Sequence, residues 1–130
     1  MSASVQKRIL IVEDEEALAR FLKVELESQG FEVRTAERGV PALQDAADHR
    51  PDLAILDLRL PDMSGYDVCR ELRRLCSPWP IPIVMFTAMG RPIDRLRGFS
   101  SGADVYLTKP FDLAELARTV SGLLEETATA

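Results

Sequence analysis

The chain has 130 residues, 46% of them apolar, and a formal net charge of −5. That length suits one compact domain with its own core, and that apolar share is too high for disorder. Lys and Arg are scattered among acids with no basic block, which argues against a nucleic-acid surface, and no stretch approaches the length of a membrane span.

Residues 1–7 lack the apolar core of a signal peptide, so a cytoplasmic protein is expected. Apolar runs then alternate with amphipathic stretches. Residues 8–13 predict a strand, with Ile9-Leu10-Ile11-Val12 running into Glu13-Asp14. A helix is predicted over 15–29, where Leu18, Phe21, Leu22 and Leu26 recur at helical spacing and Gly30 is a natural stop. Residues 31–36 alternate as an edge strand would. Residues 40–48 follow as a helix that tolerates Pro41 in its first turn.

Residues 52–57 form a fully apolar strand, Leu53-Ala54-Ile55-Leu56, that delivers Asp57. Pro61 and Gly65 punctuate the loop before a helix over 64–75. Cys69 and Cys76 have no CxxC partner and read as reduced core or boundary residues. The Pro-rich connector 77–82 leads to a strand over 82–87, Ile83-Val84-Met85-Phe86 ending in Thr87. A helix over 91–101, a strand over 104–108 and a helix over 112–125 complete the domain. That last strand delivers Lys109 and Pro110, and residues 125–130 read as a frayed polar end.

Strand–helix alternation of this kind predicts a parallel sheet with helices on both faces. In such sheets ligands bind beyond the carboxyl ends of the strands, where Glu13, Asp14, Asp57, Thr87 and Lys109 all fall. Three carboxylates in one place raise one another's pKa unless a cation compensates, and oxygen-only ligands favour Mg²⁺ or a similar hard ion. Asp57 would then be the in-line nucleophile that forms an acyl phosphate. Lys109 would be a point charge on a phosphoryl oxygen, and Thr87 would offer its hydroxyl to another. The Lys109–Pro110 bond is open between a cis peptide that aims the lysine and an ordinary trans turn.

With these residues in place the chain resembles the receiver domain of two-component response regulators, from about residue 8 to residue 124. The motifs are Val12-Glu13-Asp14, the run 57–65 from Asp57 to Gly65, Phe86-Thr87-Ala88, and the run 102–111 from Gly102 to Phe111. The resemblance implies a chemotaxis-regulator-like (flavodoxin-like, doubly wound) α/β fold with a five-stranded parallel sheet in the order 2-1-3-4-5, spanning residues 8–125. It implies that a sensor histidine kinase, a histidine phosphotransfer protein or a small phosphodonor phosphorylates Asp57 with Mg²⁺ or Mn²⁺. Glu13 and Asp14 match the family's acidic pair, with Asp14 the better metal-ligand candidate beside Asp57. The backbone carbonyl of Arg59 matches the third protein ligand. Thr87 matches the switch hydroxyl, Tyr106 the aromatic that turns inward as Thr87 moves, and Lys109 the family's lysine.

The family further implies that phosphorylation changes the affinity of the 91–125 surface for a downstream protein partner, an output domain or a second copy. No direct nucleic-acid or membrane contact is implied for this domain. Both a stand-alone regulator and the receiver part of a longer one accord with the sequence. Val105 and Thr119 replace the Asp/Glu and Arg that pair across a dimer in the winged-helix subfamily, whereas Arg95 and Glu115, another of its pairs, are present. Arg59 and Met89 each stand two residues past Asp57 and Thr87, where the family tunes phosphate lifetime.

Two other functions compete. A phosphatase of the haloacid-dehalogenase type wants a second Asp two residues after the nucleophile, and Arg59 stands there. A pseudo-receiver would keep the fold as a binding module without phosphorylation, against the intact set Asp14, Asp57, Thr87 and Lys109. Blander readings also exist for single residues. Glu13 and Asp14 suit a helix N-terminus. Tyr106 could be a static half-buried aromatic, and His49 a surface residue at a helix end. Trp79 could pack against a helix end, or serve a partner as a hot spot. Arg70, Arg73 and Arg74 could form a solvated helix face. Phe99 and Ala103 could line an output surface or simply pack.

Overall fold

The structure is a computed structural model that describes residues 6–110 and 112–129, with side chains as far as residue 125. Phe111 of the fourth motif and the extreme termini lie outside the described residues. Five strands alternate with five helices in these residues: β1 Arg8–Val12, α1 Glu16–Ser28, β2 Glu32–Ala36, α2 Gly39–Asp48, β3 Leu53–Leu56, α3 Gly65–Leu75, β4 Ile83–Thr87, α4 Pro92–Ser100, β5 Val105–Thr108 and α5 Leu113–Thr129. The strands pair in parallel in the order β2-β1-β3-β4-β5, as expected.

Alternation along each strand sorts the core into two layers. Ile9, Ile11, Leu53, Ile55, Val84 and Phe86 face Leu22 and Leu26 of α1 and Leu116, Val120 and Leu124 of α5. Leu10, Val12, Ala54, Leu56, Ile83 and Met85 face Ala42 and Ala46 of α2 and Val68, Cys69 and Leu72 of α3. β2 is an edge strand with only Val33 buried, in keeping with its alternation. Gly30 follows α1 at φ +97°, a backbone region in which a Cβ is strained.

Two caps fix the loops around the strand ends. Ser64 accepts the Tyr66 amide at 3.0 Å and starts α3. α2 begins at Arg38, whose side chain makes no cap bond. Asp62, from the loop after β3, supplies that cap by accepting the amides of Gly39 at 2.7 Å and Val40 at 2.8 Å. Gly65 packs so tightly that a Cβ there would stand 2.2 Å from the Asp57 carbonyl oxygen. A glycine is therefore needed where α3 starts.

Some single-residue expectations change and others hold. α5 continues as helix to Thr129, past the frayed end expected from residue 125. Trp79 is 74% exposed, and its carbonyl accepts a hydrogen bond from Arg50. The arginines of α3 are not one solvated face. Arg73 donates to the carbonyls of Gly102 (Nε, 2.9 Å) and Ile81 and to the Asp104 carboxylate at 2.6 Å, stitching α3 to the start of β4 and β5. Arg70 reaches Ser101 at 3.1 Å, while Arg74 is exposed and pairs with Glu71 in its own helix. Cys69 and Cys76 are buried free thiols, and burial pushes the Cys69 thiol up to about 11. His49 is exposed at the end of α2, and Ala103 packs in the core.

Candidate functional site

The ends of β1, β3, β4 and β5 bring the expected residues together. Glu13 follows β1 and is buried, with its amide donating to the Ala36 carbonyl of β2 at 3.0 Å. Asp14 beside it is exposed. Asp57 follows β3, and its amide donates to the Val12 carbonyl at 3.0 Å. Oxygen atoms of Glu13, Asp14 and Asp57 lie within 4.8 Å of one another. Such an oxygen-only trio fits a hard divalent cation.

Lys109 closes the far side. Its Nζ donates to Glu13 Oε1 at 2.6 Å and to Asp57 Oδ2 at 3.4 Å. The ammonium also lies 5.1 Å from the centre of the Phe86 ring. The Lys109–Pro110 bond is cis, which decides the alternative left open by the sequence. Burial pushes the Glu13 carboxyl above its ordinary value, and the Asp57 charge adds to that, while the Lys109 hydrogen bond opposes it. Burial pulls Lys109 down, but its hydrogen bond to Glu13 and the charges of both carboxylates outweigh that and hold the ammonium above its usual range. Glu13 also accepts the Glu15 amide at 3.1 Å, so it helps to cap α1 as well as join the cluster.

Arg59 is held by its amide, which donates to Asp57 Oδ1 at 3.4 Å, and by an antiparallel bridge to Ser64. Arg59 and Met89 line one groove with Arg91 and Asp94, beside the carboxylates rather than within them. Thr87 is 1% exposed, and its hydroxyl accepts the Met89 amide at 3.3 Å. Tyr106 is fully buried rather than half-buried, and its hydroxyl donates to the Met89 carbonyl. Burial pushes the Tyr106 phenol up to about 12, with Tyr66 and Asp94 adding to the shift.

Two features escape a reading from sequence motifs. Arg95 donates to Thr108 Oγ1 at 3.0 Å and lies 5.2 Å over the Tyr106 ring, so it is engaged within its own chain. Tyr66 donates to the Asp94 carbonyl at 3.1 Å and joins α3 to α4. A run of apolar residues gives no sign of either, because both depend on how the helices pack.

Comparison with known proteins fits this geometry. The profile of the response regulator receiver domain matches residues 9–121. The chain is 43% identical over 120 residues to the DNA-binding dual master transcriptional regulator RpaA of Synechocystis, covering 92% of this chain and 50% of that protein. It is 45% identical over 117 residues to the phosphate regulon transcriptional regulatory protein PhoB of Rhizobium meliloti, covering 90% and 52%. The chain thus spans about half the length of the curated relatives it matches. A CheY-like receiver domain protein from Methanospirillum hungatei superposes with a TM-score of 0.90 at 30% identity, covering 96% of this chain and 98% of that one. The BeF3-activated DrrB receiver domain gives 0.85 at 30% identity, covering 93% and 99%. No described helix is long and apolar enough to cross a membrane. The chain belongs to the response regulator receiver domain family of two-component signal transduction.

Proposed function

We propose that residues 8–125 act as one phosphoacceptor unit whose acceptor is Asp57. The observation that carries this reading is the convergence of Glu13, Asp14 and Asp57 oxygens within 4.8 Å, with Lys109 Nζ 3.4 Å from Asp57. A carboxylate oxygen of Asp57 attacks phosphorus in line as the bond from phosphorus to the donor's imidazole nitrogen, or to a small donor's leaving atom, breaks. The product is an acyl phosphate, and the departing group leaves with the bonding electron pair.

Asp14, Glu13, Asp57 and the Arg59 carbonyl would hold Mg²⁺ or Mn²⁺. When bound, that cation supplies neutralising charge for carboxylate and phosphoryl oxygens. Lys109 trades part of its contact with Glu13 for a phosphoryl oxygen. Thr87 turns its hydroxyl to another, letting go of the Met89 amide. Tyr106 is the aromatic that reports this movement to the surface. Arg59 stands where a dehalogenase-type phosphatase needs its general acid, which supports a signalling acceptor rather than a turnover enzyme.

The donor we assign is a sensor histidine kinase or a histidine phosphotransfer protein. The responding surface is 91–125, where Ile93, Leu96 and Phe99 are 52%, 62% and 48% exposed. A downstream protein, an output domain or a second copy would cover it, and this domain itself touches neither nucleic acid nor membrane. A cytoplasmic location accords with that donor.

Borohydride reduction tests the assignment, because it converts an aspartyl phosphate to homoserine. After incubation with phosphoramidate and Mg²⁺, peptide mapping is expected to find homoserine at position 57 alone. Conversion at another carboxylate, or none in a folded protein with Mg²⁺ present, would overturn it.

A further inference from the structure

Tyr106 owes its buried position to a missing side chain on α4. A Cβ on Gly98 would stand 2.7 Å from Cδ2 and 2.8 Å from Cε2 of the Tyr106 ring, with Met85 Sδ next at 3.8 Å. Carbon atoms attract at about 3.5–4.0 Å and repel inside that. A methyl at position 98 and the buried ring therefore compete for one space.

The ring cannot yield by a small slide. Tyr106 is locked in the sheet opposite Met85 of β4. Arg95 lies 5.2 Å from the ring centre and Phe99 6.3 Å. The hydroxyl is fixed on the Met89 carbonyl. Two adjustments remain: Tyr106 swings to another rotamer, or α4 lifts from the sheet. Only Asp94 and Gly98 of α4 are buried, so this helix is held to the sheet over a small area. Glycine in a helix interior weakens the helix relative to alanine. Its placement here makes sense if the space is needed.

We propose that Gly98 admits Tyr106 to the interior, and that the size of residue 98 sets the balance between inward and outward Tyr106. It is a positioning residue, remote from the carboxylates, that determines how fully a phosphoryl group at Asp57 is transmitted to the 91–125 surface. This rests on the reading of Tyr106 as the switch aromatic. Each increment of volume at position 98 costs the inward state and spares the outward one. By linkage, affinity for any ligand of Asp57 that favours the inward state falls as the inward fraction falls.

The test labels the two tyrosines with 3-fluorotyrosine and follows their fluorine resonances, assigned with Tyr106→Phe, as beryllofluoride is added with Mg²⁺ as a phosphoryl mimic. In the wild-type chain, where Tyr106 already lies inside, beryllofluoride is expected to remove the outward population and leave one buried Tyr106 resonance. Gly98→Ala is expected to reduce the inward-to-outward ratio by about threefold or more, and Gly98→Leu by about tenfold or more, with beryllofluoride affinity falling in the same order. The phosphoryl adduct at Asp57 should still form in both variants when a phosphodonor is in excess.

A wild-type Tyr106 resonance indifferent to beryllofluoride that nevertheless binds would overturn the switch reading, and the proposal with it. A wild-type shift that both variants reproduce in full, at unchanged beryllofluoride affinity, would overturn the proposal alone. A thermal measurement covers the case in which Gly98→Leu fails to fold. In a Tyr106→Ala background, Gly98→Ala should raise the midpoint, because helix propensity improves and the clash is gone. A lower or unchanged midpoint there would mean that something other than Tyr106 closes the space, and would overturn the proposal too.

Discussion

Thr87 and Tyr106 are joined through one residue: Met89 donates its amide to the Thr87 hydroxyl at 3.3 Å and accepts the Tyr106 hydroxyl on its carbonyl. The end of β4 and the middle of β5 thus share a single peptide segment. If the Thr87 hydroxyl turns toward a phosphoryl group, the Met89 amide loses its acceptor, and the segment that holds the Tyr106 hydroxyl registers the change. Tyr106→Phe keeps the ring and removes the anchor. Its stability in urea is expected to fall by about 1 kcal/mol, the ordinary net worth of a hydrogen bond.

The same phenol gives a pH signature. Its proton is held up to about 12, chiefly by burial, against about 10 in an unfolded chain. A raised folded value means that the folded state binds the proton more tightly. The associated stability is complete below about pH 10 and is lost as pH rises through about 12. Unfolding midpoints of the wild type should therefore fall across that alkaline window. Tyr106→Phe should fall less steeply, with the remainder due to the other groups whose protons the fold holds more tightly, Tyr66, Cys69, Cys76 and Lys109. Equal slopes in the two proteins would contradict this assignment.

Lys109 is the counter-charge of the acidic cluster, 2.6 Å from Glu13 and 3.4 Å from Asp57. Lys109→Met leaves those carboxylates facing one another. Without divalent cation the variant should lose about 2 kcal/mol in urea unfolding, the scale of an unsatisfied buried charged group. Mg²⁺ should restore more stability to the variant than to the wild type, because a bound ligand stabilises the state that binds it. Identical Mg²⁺ responses would show that the ammonium does not share the cluster's charge.

Arg73 supports a different part of the fold. Its guanidinium serves the Gly102 and Ile81 carbonyls and the Asp104 carboxylate, which in turn accepts the Ile83 amide at 2.7 Å. Arg73→Ala should cost about 1–2 kcal/mol. Lysine should not restore it, because one ammonium cannot reproduce the planar fork. Full recovery in Arg73→Lys would contradict that geometry.

Asp62 caps a helix other than its own. The two amides of α2 hold its carboxyl below the ordinary range, the Val40 amide contributing most. A depressed folded value means that this support is present above the unfolded pKa of about 4 and is lost as pH falls through the folded value. Asp62→Ala should speed amide hydrogen exchange at Gly39 and Val40 at neutral pH. Wild-type exchange there should show the same loosening only in acid. Unaltered protection in the variant would mean that α2 is held by its buried face alone.

Much of this was legible because the strands carry their own signal. Ile9-Leu10-Ile11-Val12 and Leu53-Ala54-Ile55-Leu56 are apolar on every side, as strands covered on both faces must be, and the acids that follow them mark the strand ends. The convergence of Glu13, Asp14, Asp57 and Lys109 follows from parallel topology. Contacts between helices were not legible. Arg73 reads as one of three surface arginines because its partners, the Gly102 and Ile81 carbonyls and the Asp104 carboxylate, lie outside its helix and leave no trace in sequence. The cap that Asp62 gives α2 leaves no sign in the sequence, because Val40 lies 22 residues away along the chain. The sequence leaves Tyr106 open between a switch aromatic and a static half-buried one, and gives no sign that Gly98 on α4 faces its ring.

The most direct measurement is the intact mass of the chain after incubation with a small phosphodonor, with and without Mg²⁺, beside Asp57→Asn. The expected result is a single phosphoryl adduct on the wild type that disappears without Mg²⁺ and in the variant. An adduct that persists in Asp57→Asn, or a folded, metal-loaded wild type that takes none, would contradict the assignment of Asp57 as the acceptor.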